Sequence, residues 1–343
     1  MPVTPLAIVE TGMVTAVGLD TPSSCAAIRC AIDNFQETRF MDEGGEWQIG
    51  SEVALEEPWR GRVKLLKMAS MSIRECIDKS GIGNPEEIPL ILCLPEKDRP
   101  GRVIENDDTF FADLQDELGL EFSPLSRVLG HGHTAVAVAL KHARSIIAEK
   151  KAKQVLISGV DSLLSNAALS AYEQSDRLLT SSNSNGFIPG EASATLLIAA
   201  PERSGKPQLL IHGLGFGVEK AFLGSGIPLR ADGLTAAIKA SLQETGCEMH
   251  DINYRITDIT GEHYYFKEAS LALSRTLHKR VEEFDIMHPT DCVGEAGAAT
   301  GPLVIAYQNY FSVNGHGKGK RVIAHFGDSD GKRSAIVMSY SGA

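Results

Sequence analysis

A chain of 343 residues with 43% hydrophobic content buries a large core without staples, either as two domains or as one two-lobed body of duplicated α/β halves. Its charge of −11, from 33 basic against 44 acidic side chains, repels phosphate backbones, so nucleic acid is not an expected partner. Six cysteines without a CxxC pair argue against a disulfide framework or a zinc site, and the start lacks the basic, apolar character of a leader, so a cytoplasmic protein without a membrane span is expected.

In chain order, Leu6 to Glu10 reads as a buried strand, followed by a loop through Thr15 and a helix from about Pro22 with Thr21 as its cap. Residues 35 to 61 are irregular in pattern; Val63 to Ile77 then recur at helical spacing up to Gly81. A strand over Ile88 to Leu94 and a helix over Asn106 to Gly119 precede the turn Leu129-Gly130-His131-Gly132-His133. Thr134 to Lys150 is alanine-rich, which predicts a closely packed central helix.

Gln154 to Ser158 predicts a strand, Ser165 to Tyr172 a short helix, and Ala192 to Ala200 a strand ending at Pro201. The polar stretch 201 to 207 is the expected junction, giving halves 1–205 and 206–343. In the second half, strands are predicted over Gln208 to Phe216, Tyr254 to Ile259, Phe284 to Met287, Arg321 to Phe326 and Ser334 to Tyr340. Helices are predicted over Leu234 to Glu244, Phe266 to Arg280 and about Ala296 to Phe311, and the alternation argues for α/β layering with mostly parallel sheets.

Five segments, in order along the chain, carry a resemblance: Ile8 to Gly18 (IVETGMVTAVG), Gln154 to Ser162 (QVLISGVDS), Gly186 to Ala194 (GFIPGEASA), Gly297 to Gly301 (GAATG) and His325-Phe326-Gly327. Together they resemble β-ketoacyl synthases of the thiolase superfamily. The resemblance implies an α/β thiolase-like fold, two similar halves in a five-layer α-β-α-β-α body, normally a homodimer. Small residues at these places suit helices lying between two sheets, which have no room for bulk.

The resemblance also implies an acylated cysteine at the amino end of the central helix, where the helix terminus favours a thiolate. In this chain Gly132 matches that position, flanked by His131 and His133. Asp258 matches the first family histidine, and Gly294 the second, with Glu295 adjacent; Asp328 stands where the family has a gating phenylalanine. Losing one donor to a developing oxyanion costs about 10²–10³ in rate, and residues acting as a unit fail together. Condensation is therefore expected to be absent or residual.

Other constellations are weaker. On this fold His131, His133, Asp258, Glu262, His263 and Glu295 are expected to converge; a polar remnant at a helix terminus explains the histidines more simply than a metal, and no cofactor is implied. Cys292, with His288 or His263 as base, is an alternative nucleophile to be weighed against a buried structural thiol. Arg60, Arg62, Lys64 and Lys67 form a basic run, either a solvated helix face or a dock for an acidic partner such as an acyl carrier protein.

The resulting expectation is a silent synthase-like protein that binds another protein: a secretion effector of a type VI system, an active synthase, or an acyl carrier protein. The competing reading is an acyltransferase or thioesterase in which His133 or Glu295 activates water or an alcohol.

Overall fold

The computed structural model describes residues 4–202 and 207–341. The first half runs β1 (Leu6–Val14), α1 (Thr21–Arg29), β2 (Gln36–Met41), β3 (Trp47–Gly50), α2 (Gly61–Ser80), β4 (Leu90–Leu94), α3 (Asp107–Leu118), β5 (Arg127–Gly130), α4 (Ala135–Ala148), β6 (Gln154–Ser162), α5 (Asn166–Gln174) and β7 (Glu191–Ala199). It continues with β8 (Leu209–Val218), α6 (Asp232–Thr245), β9 (Tyr254–Thr257), α7 (His263–Ser274), β10 (Ile286–Met287), α8 (Thr290–Val293), α9 (Thr300–Val313), β11 (Arg321–Gly327) and β12 (Lys332–Tyr340).

Ten strands join in the order β10-β9-β11-β12-β8-β1-β7-β6-β4-β5. Outward from the short β1–β8 contact, where Leu6 meets Ile211 and Ala7 meets Leu210, the two runs have one topology. In each, the first strand pairs antiparallel with the last, that strand pairs antiparallel with the next, and the outer pairs are parallel. The sheet is thus mixed rather than mostly parallel. One cause is the turn joining β11 to β12, which is too short for a crossover. The sequence-level junction at 205/206 lies outside the described residues.

Period-two alternation places the layers. Ile91 and Cys93 of β4 face a core shared with α4 and α9, whereas Leu90, Leu92 and Leu94 face α2 and α3. In the second run, Val322 and Ala324 face that same central core, and Ile323 packs with α6 and α7. The order is therefore α2/α3, sheet, α4/α9, sheet, α6/α7, the five-layer arrangement expected. Gly159 shows the fit: a Cβ there would lie 2.6 Å from the Ala298 carbonyl oxygen.

Two further expectations need correction. β1 continues through Met13 and Val14, because β7 pairs with it as far as Ser193. Residues 35 to 61 hold the β2–β3 ribbon, with the inward Thr38 hydroxyl donating to the Gln48 carbonyl at 2.8 Å. Among the described residues no helix is long and apolar enough to cross a membrane.

Glycines in the first strand of each run let an outer helix approach closely. A Cβ on Gly12 would overlap the Ser72 carbonyl of α2, and one on Gly215 would overlap the Ala237 carbonyl of α6. Gly12→Ala and Gly215→Ala are each expected to cost about 1–3 kcal/mol of stability by overpacking, read by chemical denaturation, while Gly83→Ala, in open space, leaves the midpoint nearly unchanged.

Candidate functional site

The site forms where the amino ends of α4 and α9 meet. After β5 the chain makes one tight turn, Gly132–Thr134, before α4 begins, and Gly297–Ala299 does the same before α9. Such ends present N–H groups without intrahelical partners. Asp328, in the β11–β12 turn, accepts from the His133 N–H at 2.8 Å and from the Thr134 hydroxyl at 2.5 Å. Asp161 at the end of β6 accepts from the Ala298 N–H at 3.0 Å, and the Glu295 carboxylate from the Gly297 N–H at 2.9 Å.

Gly132 lies in this turn with φ of +51°, in the left-handed region. A Cβ on it would collide with the Glu96 carboxylate and lie 2.8 Å from Asp328 Oδ1. The space beyond the α4 terminus is therefore taken by two carboxyl groups. Burial pushes the Asp328 carboxyl up to about 7; His133 opposes the rise, and Glu96 adds to it.

His133 is held on both ring nitrogens. Nδ1 is 2.9 Å from Asp258 Oδ2 and Nε2 is 2.6 Å from Glu295 Oε1, with the ring only 14% exposed. Burial disfavours the charged ring, but the Glu295 and Asp258 carboxylates overcome it and hold His133 well above its ordinary value. Burial likewise opposes ionisation of Asp258 and Glu295, and His133 overcomes it, so both lie below the usual carboxylate range. The three groups form one imidazolium between two carboxylates. Asp258 is further fixed by the Gly327 N–H at 2.9 Å and the Thr257 hydroxyl at 3.1 Å.

Two arginines complete the walls. Arg99 donates to Asp161 at 2.6 Å and to the Ser162 carbonyl at 3.2 Å. Arg177 makes a two-pronged pair with Glu262, at 2.9 and 2.8 Å, and reaches Ser329 Oγ at 2.8 Å. Between them lies a chamber of about 40 Å³, bounded by His133, Glu295, Tyr172, Tyr265 and Phe187. Glu96, Arg99, Tyr172, Arg177 and Ser329 also line an open vestibule of about 560 Å³.

The sequence-selected residues divide. His133, Asp258 and Glu295 converge, but His131 lines a separate groove and His263 is exposed, while Glu262 is engaged by Arg177. Gly294 faces away, since a Cβ there would meet the Ile188 carbonyl at 2.8 Å; its neighbour Glu295 supplies the side chain. Cys292 is buried in the central core with burial pushing its thiol up to about 11, and His288 is paired with Asp291 at 2.5 Å, so this thiol is structural in its surroundings. The basic run is largely spent internally: Arg62 pairs with Asp113, Lys64 is buried against Glu191 and Glu52, and Lys67 pairs with Glu117 at 2.7 Å. Only Arg60 of the four lacks an ion pair among the described residues.

Comparison with known proteins gives the architecture its context. No family model and no curated protein matches the chain. Among solved structures, an ishigamide ketosynthase/chain length factor matches with TM-score 0.80 at 15% identity, covering 98% of this chain and 99% of that one. A Burkholderia phymatum β-ketoacyl synthase matches at 0.73 and 15%, covering 98% and 99%, and a Xenorhabdus doucetiae ketosynthase in complex with its chain length factor at 0.72 and 14%, covering 98% of each. The chain has the thiolase-like fold of the ketosynthases.

Within this ketosynthase-like body, Glu96, Arg99, Tyr172, Arg177 and Tyr265 are the site residues that motif reading missed. A signal for the first two was present: Pro95-Glu96-Lys97-Asp98-Arg99 is a charged loop directly after the buried strand β4, at the carboxyl edge of parallel strands where α/β sites collect.

Removing the central cation strands two mostly buried carboxylates, so His133→Ala is expected to lower stability by about 3–5 kcal/mol in denaturant unfolding. Asp328 gives a pH signature of opposite sense to a salt-bridged acid. Its folded value is raised, so between about pH 4 and 7 the native state holds a proton that the unfolded chain has released, and its contribution falls as pH rises through that window. Asp328→Asn is expected to remove that fall, checked by comparing unfolding free energies of both proteins from pH 4 to 8.

Proposed function

We propose that this chain is a ketosynthase-like protein that does not condense acyl thioesters and instead serves as a protein-binding accessory. The observation that carries this reading is Gly132: the position matched to the nucleophile has no side chain, a left-handed backbone, and two carboxyl groups where a thiol would project. Carboxyl groups already occupy the helix terminus that would stabilise a thiolate.

The competing acyltransferase or thioesterase reading needs a free base. His133 is charged and paired on both nitrogens, and Glu295 is a weakened base because His133 stabilises its ionised form. A chamber of about 40 Å³ has room for one or two water molecules but none for an acyl chain beside the paired side chains.

An accessory role fits a body whose structural relatives include a ketosynthase complexed with a chain length factor and one complexed with an acyl-carrier protein. We take the association to be a homodimer or a pair with an active synthase, in the cytoplasm, with a secretion effector as the client in the adaptor form of the reading. Acyl carrier protein is the least suited of the three partners, because the basic run expected to receive it is largely neutralised within the fold.

Incubation of the purified protein with acetyl-, hexanoyl- and malonyl-thioesters is expected to give no adduct by intact mass and no thiol release above background. Gly132→Cys is expected not to restore either, since its Cβ has to displace Glu96 and the left-handed backbone remains. A stoichiometric acyl adduct on the unmodified protein, or turnover abolished by His133→Ala in a folded variant, overturns the reading.

A further inference from the structure

The charges around the chamber do not balance. Arg99 is matched by Asp161, Arg177 by Glu262, and His133 by both Asp258 and Glu295, so three cations already face four carboxylates. Glu96 is a fifth, and it makes no side-chain hydrogen bond or ion pair among the described residues while lining both chamber and vestibule. The vestibule adds Asp98 and Asp176, both exposed and without ion pairs among the described residues. Excess negative charge in a concave, partly desolvated space draws cations and repels anionic guests such as malonyl groups.

Independent features describe the rest of a guest. The hydroxyls of Tyr172 and Tyr265 make no hydrogen bond within the described protein, although both residues line the chamber. Arg99, with its side chain only 7% exposed, has no acceptor for its Nε–H. Pro100, Tyr172 and Leu223 give the vestibule an apolar wall. The site therefore offers acceptors to a small cation, an apolar surface to an aliphatic stem, and a donor that lacks a carbonyl. A space of about 40 Å³ suits an ammonium and not a planar guanidinium, whereas the outer 560 Å³ accommodates backbone.

We infer that the chamber mouth and vestibule bind a lysine side chain presented by an extended segment of a partner protein, with its ammonium against Glu96, its stem along Pro100, Tyr172 and Leu223 of the vestibule, and a peptide carbonyl near the Tyr172 hydroxyl. This rests on the accessory reading above and specifies the chemistry of the partner. It assigns the former acyl site an occupant of opposite charge to malonyl thioesters.

The test uses the full chain and a fluorescent peptide, Gly-Ser-Lys-Ser-Gly with blocked ends, followed by anisotropy at low salt. Saturable binding is expected, weakened at least about tenfold when lysine is replaced by norleucine, acetyl-lysine or arginine, and weakened by added salt. Glu96→Gln is expected to lower affinity by about tenfold without lowering the melting temperature, because Glu96 makes no side-chain hydrogen bond or ion pair among the described residues and only repels Asp328. Free n-butylamine is expected to compete only at far higher concentration than the peptide. Absence of peptide binding, equal affinity for the norleucine peptide, undiminished affinity in Glu96→Gln, or n-butylamine binding as tightly as the peptide each overturns the inference. Acylation by thioesters is a separate readout: a protein that ignores both thioesters and lysine peptides fails only here, and one that is acylated fails the accessory reading.

Discussion

The amino ends of α4 and α9 converge at the middle of the molecule, and their unpaired N–H groups dictate which side chains can surround them. The convergence is imposed by packing. α9 has no exposed residue from Thr300 to Ser312, lying between the two sheet runs, and Gly301 admits α4 so closely that a Cβ would lie 3.1 Å from the His133 carbonyl. Two helix termini brought together this way create a region of positive potential that must meet acceptors. Here the acceptors are Asp328 on the α4 side and Asp161 and Glu295 on the α9 side.

Once the acceptors are carboxylates, the remaining charges follow. Buried carboxylates need cations, and His133, Arg99 and Arg177 supply them at hydrogen-bond distance. Loops from distant parts of the chain are then fixed relative to one another. Glu295 is held by backbone bonds to Ile188 and Gly190, so the segment Gly186 to Ala194 braces the site while its Phe187 lines the chamber. Glu191 in the same segment binds the Val53 N–H, the Ser162 hydroxyl and the Lys64 ammonium, tying α2 to the floor of the site. On the far side Arg333 pairs with Glu268 at 2.9 Å and donates to the Asp328 carbonyl at 2.7 Å, fixing the turn that carries Asp328.

The dependence on distant partners explains what was legible in the sequence. Helix positions were readable where their signals are local: Gly81 adopts the left-handed cap expected of it, although the cap of α1 is Asp20, one residue before the expected Thr21. The central helix was readable from its alanines. The mixed strand directions were not, since pairing between β1, β7 and β8 is set by contacts far apart in sequence. The site was half legible: His133, Asp258 and Glu295 stood at or beside positions matched to the family, whereas Arg99 and Arg177 gain their roles only from Asp161 and Glu262, each more than sixty residues away. The ion pairs of the basic run were not legible because Asp113, Glu117 and Glu191, which neutralise it, lie on α3 and β7.

The same network fixes the surroundings of position 132 through several partners at once. A thiol at 132 lacks space because Glu96 and Asp328 occupy it; Asp328 is there because α4 needs an acceptor; and Asp258 and Glu295 are ionised because His133 lies between them. Each residue is held in place by a partner from a distant part of the chain. The two helix termini are satisfied by carboxyl groups of the protein itself, Asp328 at α4 and Asp161 and Glu295 at α9. Of the charged residues lining the chamber, Glu96 is the one that makes no side-chain hydrogen bond or ion pair among the described residues.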